Sequence, residues 1–102
     1  MPNANYVAGR RFEYERAKHW RSIGHEVMRT AGSHGLFDLI TISTGGDIQL
    51  LQLKRVSNVA EAQCFLARFA ARPPLGHRTR ARYHQVLEIR VRGHKGISTV
   101  RV

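Results

Sequence analysis

The alternation of apolar and polar residues along this chain predicts two helices and five strands. Apolar residues recur at helical spacing over residues 5–24 and again over residues 58–71, where Pro73 and Pro74 end the pattern. The remaining apolar runs have the length and the turn residues typical of strands, and they cover residues 25–31, 37–43, 47–56, 83–92 and 96–102. The order αβββαββ predicts an α/β domain with a central mixed five-stranded sheet flanked by helices.

The spacing within each predicted helix indicates which side chains are buried. In the first helix we expect two adjacent stripes to form the buried face: Phe12, Glu13, Ala17, His19, Trp20 and Ile23. Glu13 lies at the edge of this face rather than on the polar side. Ser57 is the expected N-cap of the second helix. Cys64 precedes Phe65 and Leu66, so its thiol is expected to be buried.

The chain carries a large excess of positive charge. Its 102 residues suit a single domain over residues 1–102, and 17 Lys and Arg against 7 Asp and Glu leave a formal net charge of +10. Fourteen of the 17 are Arg, whose planar guanidinium matches phosphate oxygens. The charge predicts a polyanionic partner, either nucleic acid or an anionic membrane surface. High Arg usage also arises without function in GC-rich or thermophilic sources.

Cysteine usage and hydropathy narrow the class of protein. A single cysteine, Cys64, excludes an internal disulfide and a four-cysteine zinc site within one chain. No apolar run reaches the roughly 18–20 residues of a membrane span, and no signal-peptide pattern opens the chain. We therefore expect a cytoplasmic protein without a membrane anchor.

A cluster of polar side chains is predicted within the strand hairpin at residues 37–56. Gln52 and Lys54 project from the same side of their strand, and Asp38 opens the preceding strand. Such a group suits a divalent cation held beside a phosphodiester, because Mg²⁺ prefers oxygen ligands and activates water. Asp38 supplies an anionic ligand, the Gln52 side chain and the Leu53 carbonyl supply neutral ones, and Glu13 could hold a water on the metal. Lys54 could orient the attacking water or stabilise the charged transition state.

Each of these residues also has an ordinary structural interpretation. Asp38 could cap a turn, Lys54 could be a solvated charge at a strand end, and Glu13 could be a surface charge on a helix. The shared face of Gln52 and Lys54 favours a site, because a polar pair among apolar residues is costly to bury without a purpose.

With these polar residues in this order, the chain resembles the PD-(D/E)XK nuclease superfamily, and within it the small archaeal-type Holliday junction resolvases. The resemblance covers the whole element order and is densest over residues 9–66. The motifs that carry it are Gly9-Arg10-Arg11-Phe12-Glu13, Arg29-Thr30-Ala31-Gly32-Ser33, Asp38, Gln52-Leu53-Lys54 and Gln63. Two positions depart from the pattern: Phe37 stands where the superfamily name has Pro, and Gln52 stands where Glu is usual. The second departure removes a negative charge and predicts weaker Mg²⁺ affinity.

The resemblance implies a restriction endonuclease-like fold and a metal-dependent nuclease. Glu13, Asp38, Gln52 and Lys54 would be its catalytic residues, and Ser33 would contact the scissile backbone. His34 is a weaker candidate for a general base. The residues expected to contact DNA are Arg10, Arg11, Arg29, Ser33, His34, Arg55 and Gln63, and the arginines of residues 72–82 could grip a DNA arm. Phosphate contacts of this kind recognise shape rather than sequence.

We therefore expect a structure-selective endonuclease that resolves four-way DNA junctions by paired symmetric nicks. It would use Mg²⁺, with Mn²⁺ as a substitute, and no small-molecule cofactor. Two nicks from chains that carry one site each require a C2 homodimer. Two alternatives stay open: another repair or restriction-type nuclease of the same superfamily, and a non-catalytic basic nucleic-acid-binding protein.

Overall fold

The predicted order of elements is confirmed. A computed structural model describes residues 4–30, 35–77 and 80–102, with side chains described from residue 7 onward. Its elements are α1 (Ala4–Ser22), β1 (Glu26–Arg29), β2 (Leu39–Ile42), β3 (Ile48–Val56), α2 (Val59–Ala71), β4 (Tyr83–Val91) and β5 (Ser98–Arg101). No helix in these ranges is both long enough and apolar enough to cross a membrane.

The five strands form one open mixed sheet in the order β1-β2-β3-β4-β5. β3 and β4 run parallel, and the other neighbouring strands are antiparallel. A parallel pair needs a crossover connection, which α2 provides between β3 and β4. A tight turn joins β2 to β3, with Gly46 at φ 89° and the Ser43 N–H donating to the Asp47 carbonyl at 2.9 Å. This connectivity holds β3 at the centre of the sheet.

The two helices cover opposite faces of the sheet. Side chains alternate along β3, so Leu51 and Val56 point to different sides. On the side called here the α1 face, the buried cluster is Ala17, Val27, Leu39, Leu51 and Val86. On the opposite side, the α2 face, it is Val56, Ala62, Phe69, Leu87, Ile89 and Val91. Each helix thus has its own apolar core against the shared sheet.

Three local predictions were wrong. His19 and Ile23 are exposed, because the buried stripe of α1 runs through Phe12, Ala17 and Trp20 and the helix ends at Ser22. The N-cap of α2 is Asn58 rather than Ser57, since the Asn58 side chain accepts the Glu61 N–H at 2.8 Å.

Cys64 is exposed, which is the third error. The side of α2 that packs on the sheet carries Ala62, Phe65, Leu66 and Phe69. Position 64 lies on the other side of the helix, because one residue of an α-helix turns by about 100°. Apolar neighbours in the chain therefore did not indicate burial of the thiol.

The α1 face carries the ion pairs of the described residues. Arg16 binds Glu88 through two hydrogen bonds of 2.8 and 2.9 Å, and the side chains are only 11% and 4% exposed. The other two pairs, Arg29 with Glu13 and Arg90 with Glu15, are more exposed. All three pairs tie α1 to a strand of the sheet.

Candidate functional site

Asp38 lies where the pairing between β2 and β3 ends. β2 pairs with residues 48–51 of β3, so residues 52–56 pair with β4 alone among the described strands. The Asp38 N–H donates to the Leu51 carbonyl at 2.7 Å, and the Leu53 N–H donates to Asp38 Oδ2 at 2.8 Å. The carboxylate thus occupies the place that a longer β2 would have taken, which holds it at the open edge of β3.

The surroundings of Asp38 raise the pKa of its carboxyl above the ordinary value. Burial is the main cause, because it removes water from the charged form, and the negative charge of Glu13 adds to the effect. The Leu53 N–H and the Lys54 ammonium act in the opposite direction and lower the pKa. The site therefore holds two carboxylates and an ammonium close enough to influence one another, and a cation would relieve the repulsion between the two acids.

A cavity of about 350 Å³ separates α1 from the second half of β3. This α1 cavity is lined by Gly9, Phe12, Glu13, Leu53, Lys54 and Arg55. Glu13 is fixed there by Arg29, whose Nη2 lies 3.0 Å from Glu13 Oε2. The predicted place of Glu13 at the edge of the buried face is confirmed, and its charge is close enough to Asp38 to raise the pKa of that carboxyl.

A second cavity, of about 190 Å³, lies between β3 and α2. This α2 cavity is lined by Gln52, Lys54, Phe65, Arg68, Phe69, Arg72, Pro74 and Leu87. Gln52 and Lys54 thus share a face, as the strand alternation predicts. Lys54 borders both cavities, and its Nζ lies 4.1 Å from the centre of the Phe65 ring.

The predicted metal ligands lie around one strand edge but do not all face one cavity. Glu13 lines the α1 cavity, Gln52 lines the α2 cavity, and Asp38 lies at the strand edge without lining either. Leu53 donates its N–H to Asp38, and its carbonyl as a ligand stays a prediction.

Among the described residues, only two carboxylates of the site are available to a metal ion. No group of three or more His, Cys, Asp or Glu in the described part of the chain is arranged to hold a metal. Mg²⁺ is commonly bound through one or two carboxylates while it keeps several waters. Asp38 and Glu13 are the two carboxylates that could bind Mg²⁺ in this way, whereas Gln52 lines the α2 cavity and its amide oxygen stays a predicted donor.

The predicted DNA-binding arginines of the α1 side surround Tyr14. Arg10 and Arg29 each donate a hydrogen bond of 3.2 Å to the Tyr14 hydroxyl, and both guanidinium groups also contact its ring. The hydrogen bond from Arg10 is the largest cause of the lowered pKa of Tyr14, followed by the charges of Arg10 and Arg29. Sequence reasoning missed Tyr14, although it lies four residues after Arg10 on the same helix side.

The other predicted contact residues lie in different places. Arg11 and Arg55 are exposed, and Arg55 lines the α1 cavity. Gln63 is exposed on α2 and lines neither cavity. Ser33 and His34 lie outside the described residues.

Sequence reasoning missed Arg68 as a cation of the α2 cavity. Arg68 and Arg72 line it together with Phe65. Positions 65 and 68 are three residues apart and so share one side of α2, and Arg72 is the C-cap of that helix. Arg72 is one of the arginines of residues 72–82 for which the sequence predicts a DNA contact, and that contact stays a prediction.

Comparison with known proteins finds no relative of this chain. No family model, no curated protein and no solved structure matches it.

Proposed function

We propose that this chain is a metal-dependent, structure-selective DNA endonuclease that resolves four-way junctions by paired symmetric nicks. The observation that carries the proposal is the half-buried Asp38 carboxylate, held by the Leu53 N–H at the open edge of β3. Glu13 and Lys54 lie close enough to shift its pKa in opposite directions. The αβββαββ order and the mixed sheet support a restriction endonuclease-like fold.

Each residue of the site has a distinct role in this proposal. Asp38 and Glu13 would hold Mg²⁺, or Mn²⁺ in its place, with Gln52 and the Leu53 carbonyl as neutral donors. The ion supplies charge neutralisation at the phosphoryl oxygens and lowers the pKa of water. Lys54 orients the attacking water or stabilises the negative charge of the transition state, which a fixed ammonium does without reorganisation.

The charge distribution supports a DNA substrate. Arg55 lines the α1 cavity, and Arg10 and Arg29 project beside Tyr14 from the elements that flank it. With a net charge of +10, such side chains contact phosphates and position a duplex without reading its bases. Phosphate-contacting side chains of this kind suit recognition of a branched DNA shape. Two nicks in opposing strands need two active sites, which a homodimer supplies. The expected location of the protein is the cytoplasm.

The test is incubation of the chain with a synthetic four-way junction in the presence and absence of Mg²⁺. We expect symmetric nicks near the branch point only when the metal is present. Asp38→Ala and Lys54→Ala should each reduce cleavage by about 100-fold or more, and Asp38→Ala should leave junction binding nearly intact. The matched controls are Asp47→Ala and Lys95→Ala, which remove the same charges at exposed positions away from both cavities.

The same assay separates the alternatives. Equal or faster cleavage of flaps or linear duplexes would indicate another nuclease of the superfamily rather than a resolvase. Cleavage of no substrate, with binding that is indifferent to metal and chelator, would leave a basic nucleic-acid-binding protein. Wild-type cleavage by Asp38→Ala or Lys54→Ala would contradict the assigned site, whatever the substrate.

A further inference from the structure

The α2 cavity concentrates positive charge without a counterion. Lys54, Arg68 and Arg72 line it, and no acidic side chain does. All seven acidic residues of the chain lie within the described ranges, and the three salt bridges found there use Arg16, Arg29 and Arg90 instead. Three cations therefore line one small space that no carboxylate lines.

The Phe65 ring contacts two of these cations. Lys54 Nζ lies 4.1 Å and Arg68 Cζ lies 5.6 Å from the ring centre. A ring face attracts each cation separately, by roughly 0.5–1 kcal/mol at an exposed position, but it does not remove the repulsion between them. An anion bound in the cavity would do so, because its oxygens accept hydrogen bonds from both groups.

The size and lining of the α2 cavity suit a phosphate group. A volume of about 190 Å³ accommodates several waters, each with a share of about 30 Å³ in the liquid, and so accommodates a phosphate group. Gln52 adds an amide that can donate a further hydrogen bond. The planar guanidinium of arginine matches two phosphate oxygens at once.

We infer that the α2 cavity is a phosphate-binding site that holds the backbone phosphate next to the scissile one in the same DNA strand. Lys54 borders both cavities, and its ammonium also acts on the Asp38 carboxylate. A strand whose scissile phosphate lies at Asp38 and Lys54 would place a neighbouring phosphate towards Arg68 and Arg72. The location of this phosphate rests on the proposed nuclease function, whereas phosphate binding in the cavity does not.

The first arm of the test uses inorganic phosphate without DNA or metal. Titration followed by amide and arginine side-chain NMR signals should shift the resonances of Phe65, Arg68 and Arg72. The variant Arg68→Met/Arg72→Met keeps much of the apolar stems and should weaken phosphate binding by about tenfold or more, because charged hydrogen bonds are lost. Arg92→Met, at an exposed position that lines neither cavity, should change binding less than about twofold.

The second arm identifies the source of the phosphate. Junction binding is measured with a neutral methylphosphonate at single positions around the mapped nick. Substitution next to the scissile phosphate should weaken binding by the parent, and should have no further effect on the Arg68→Met/Arg72→Met variant. The slope of log K against log salt should also fall by roughly 0.9 in that variant, the value for one phosphate contact.

The outcomes distinguish this inference from the proposed function. Absence of shifts at the lining residues, or equal effects of the double variant and Arg92→Met, overturns the phosphate site. Phosphate binding with no response to any methylphosphonate overturns its assignment to the DNA strand. Failure to nick any junction defeats the proposed function but leaves the first arm intact, and unchanged thermal unfolding of the double variant shows that its fold is preserved.

Discussion

The two faces of the sheet use their charged side chains in different ways. On the α1 face, Arg16, Arg29 and Arg90 each bind a carboxylate within 3.0 Å. On the α2 face, Lys54, Arg68 and Arg72 surround a cavity that no acid lines. Cations of the first kind hold α1 to the sheet, whereas those of the second kind are arranged for a ligand that arrives from outside.

Asp38 is influenced by charged residues on both sides of the sheet. It lies at the edge between the two faces, where Glu13 acts on it from the α1 side and Lys54 acts on it from β3. Its half-buried charge is stabilised by the Leu53 N–H and is disfavoured by partial burial and by Glu13. An ionised carboxylate in these surroundings lowers the stability of the folded state, and such a loss of stability is typical of functional sites.

The largest expected effect concerns the buried pair of the α1 face. Glu88→Leu leaves Arg16 buried without its partner and should lower the free energy of unfolding by about 3–5 kcal/mol, measured by urea denaturation. The double variant Arg16→Met/Glu88→Leu should recover most of the loss. Glu15→Gln, in a more exposed pair, should cost at most about 1 kcal/mol.

The same measurement of stability can be made for an arginine of the α2 face. Arg68→Met should leave the free energy of unfolding within about 0.5 kcal/mol of the parent, because this exposed arginine has no carboxylate partner in the described structure. A loss as large as that of Glu88→Leu would mean that the arginines of both faces are structural, and the comparison would fail.

The next largest effect comes from the two charges that act on Asp38 in opposite directions. Lys54→Met removes a cation that lowers the pKa of Asp38, so the acidic limb of the cleavage profile should move to higher pH, with activity about 100-fold lower. Glu13→Gln removes a charge that raises this pKa, so the limb should move to lower pH, with a loss of about 10–100-fold.

The measurement for this pair is cleavage rate against pH at one fixed metal concentration below saturation. Glu15→Gln, on the same helix as Glu13, is the control and should leave the limb unmoved. Shifts of Lys54→Met and Glu13→Gln in the same direction would contradict the assignment of the limb to Asp38.

A smaller effect is expected from the residue that departs from the superfamily pattern. Gln52→Glu adds a negative charge beside Asp38 and should lower the Mg²⁺ concentration for half-maximal cleavage by about tenfold, equivalent to ~1.4 kcal/mol. A metal titration of cleavage measures this concentration. An unchanged metal optimum would mean that Gln52 serves the α2 cavity alone.

The smallest effect is on stability and follows from the pKa of Asp38. Because burial raises the folded-state pKa above its ordinary value of 3.8, protonated Asp38 favours folding below pH 3.8, and this contribution is lost as pH rises through the folded pKa. Asp38→Asn should therefore unfold at a slightly higher temperature than the parent at pH 7 without metal.

Scanning calorimetry with and without Mg²⁺ completes that test. The metal should raise the unfolding temperature of the parent and leave that of Asp38→Asn unchanged, since a ligand stabilises only the state that binds it. An Asp38→Asn protein that is less stable than the parent without metal would show that the carboxylate is structural.

Local patterns predicted most of the fold and part of the site. Helical spacing, strand alternation and turn glycines act between residues close in the chain, so they indicated all seven elements and the common face of Gln52 and Lys54. The same reasoning marked Asp38 as the start of β2 and Glu13 as the edge of a buried stripe. These conclusions needed no knowledge of how the elements pack.

Tertiary structure decided the rest, because it depends on contacts between residues far apart in the chain. Arg16 and Glu88 are 72 positions apart, and no pattern in either segment indicates that they meet. The length of β2, which leaves the Leu53 N–H to Asp38, and the approach of α2 to Lys54 were likewise decided by packing. A sequence records which side chains prefer burial, but the space between two elements exists only once both have docked on the sheet.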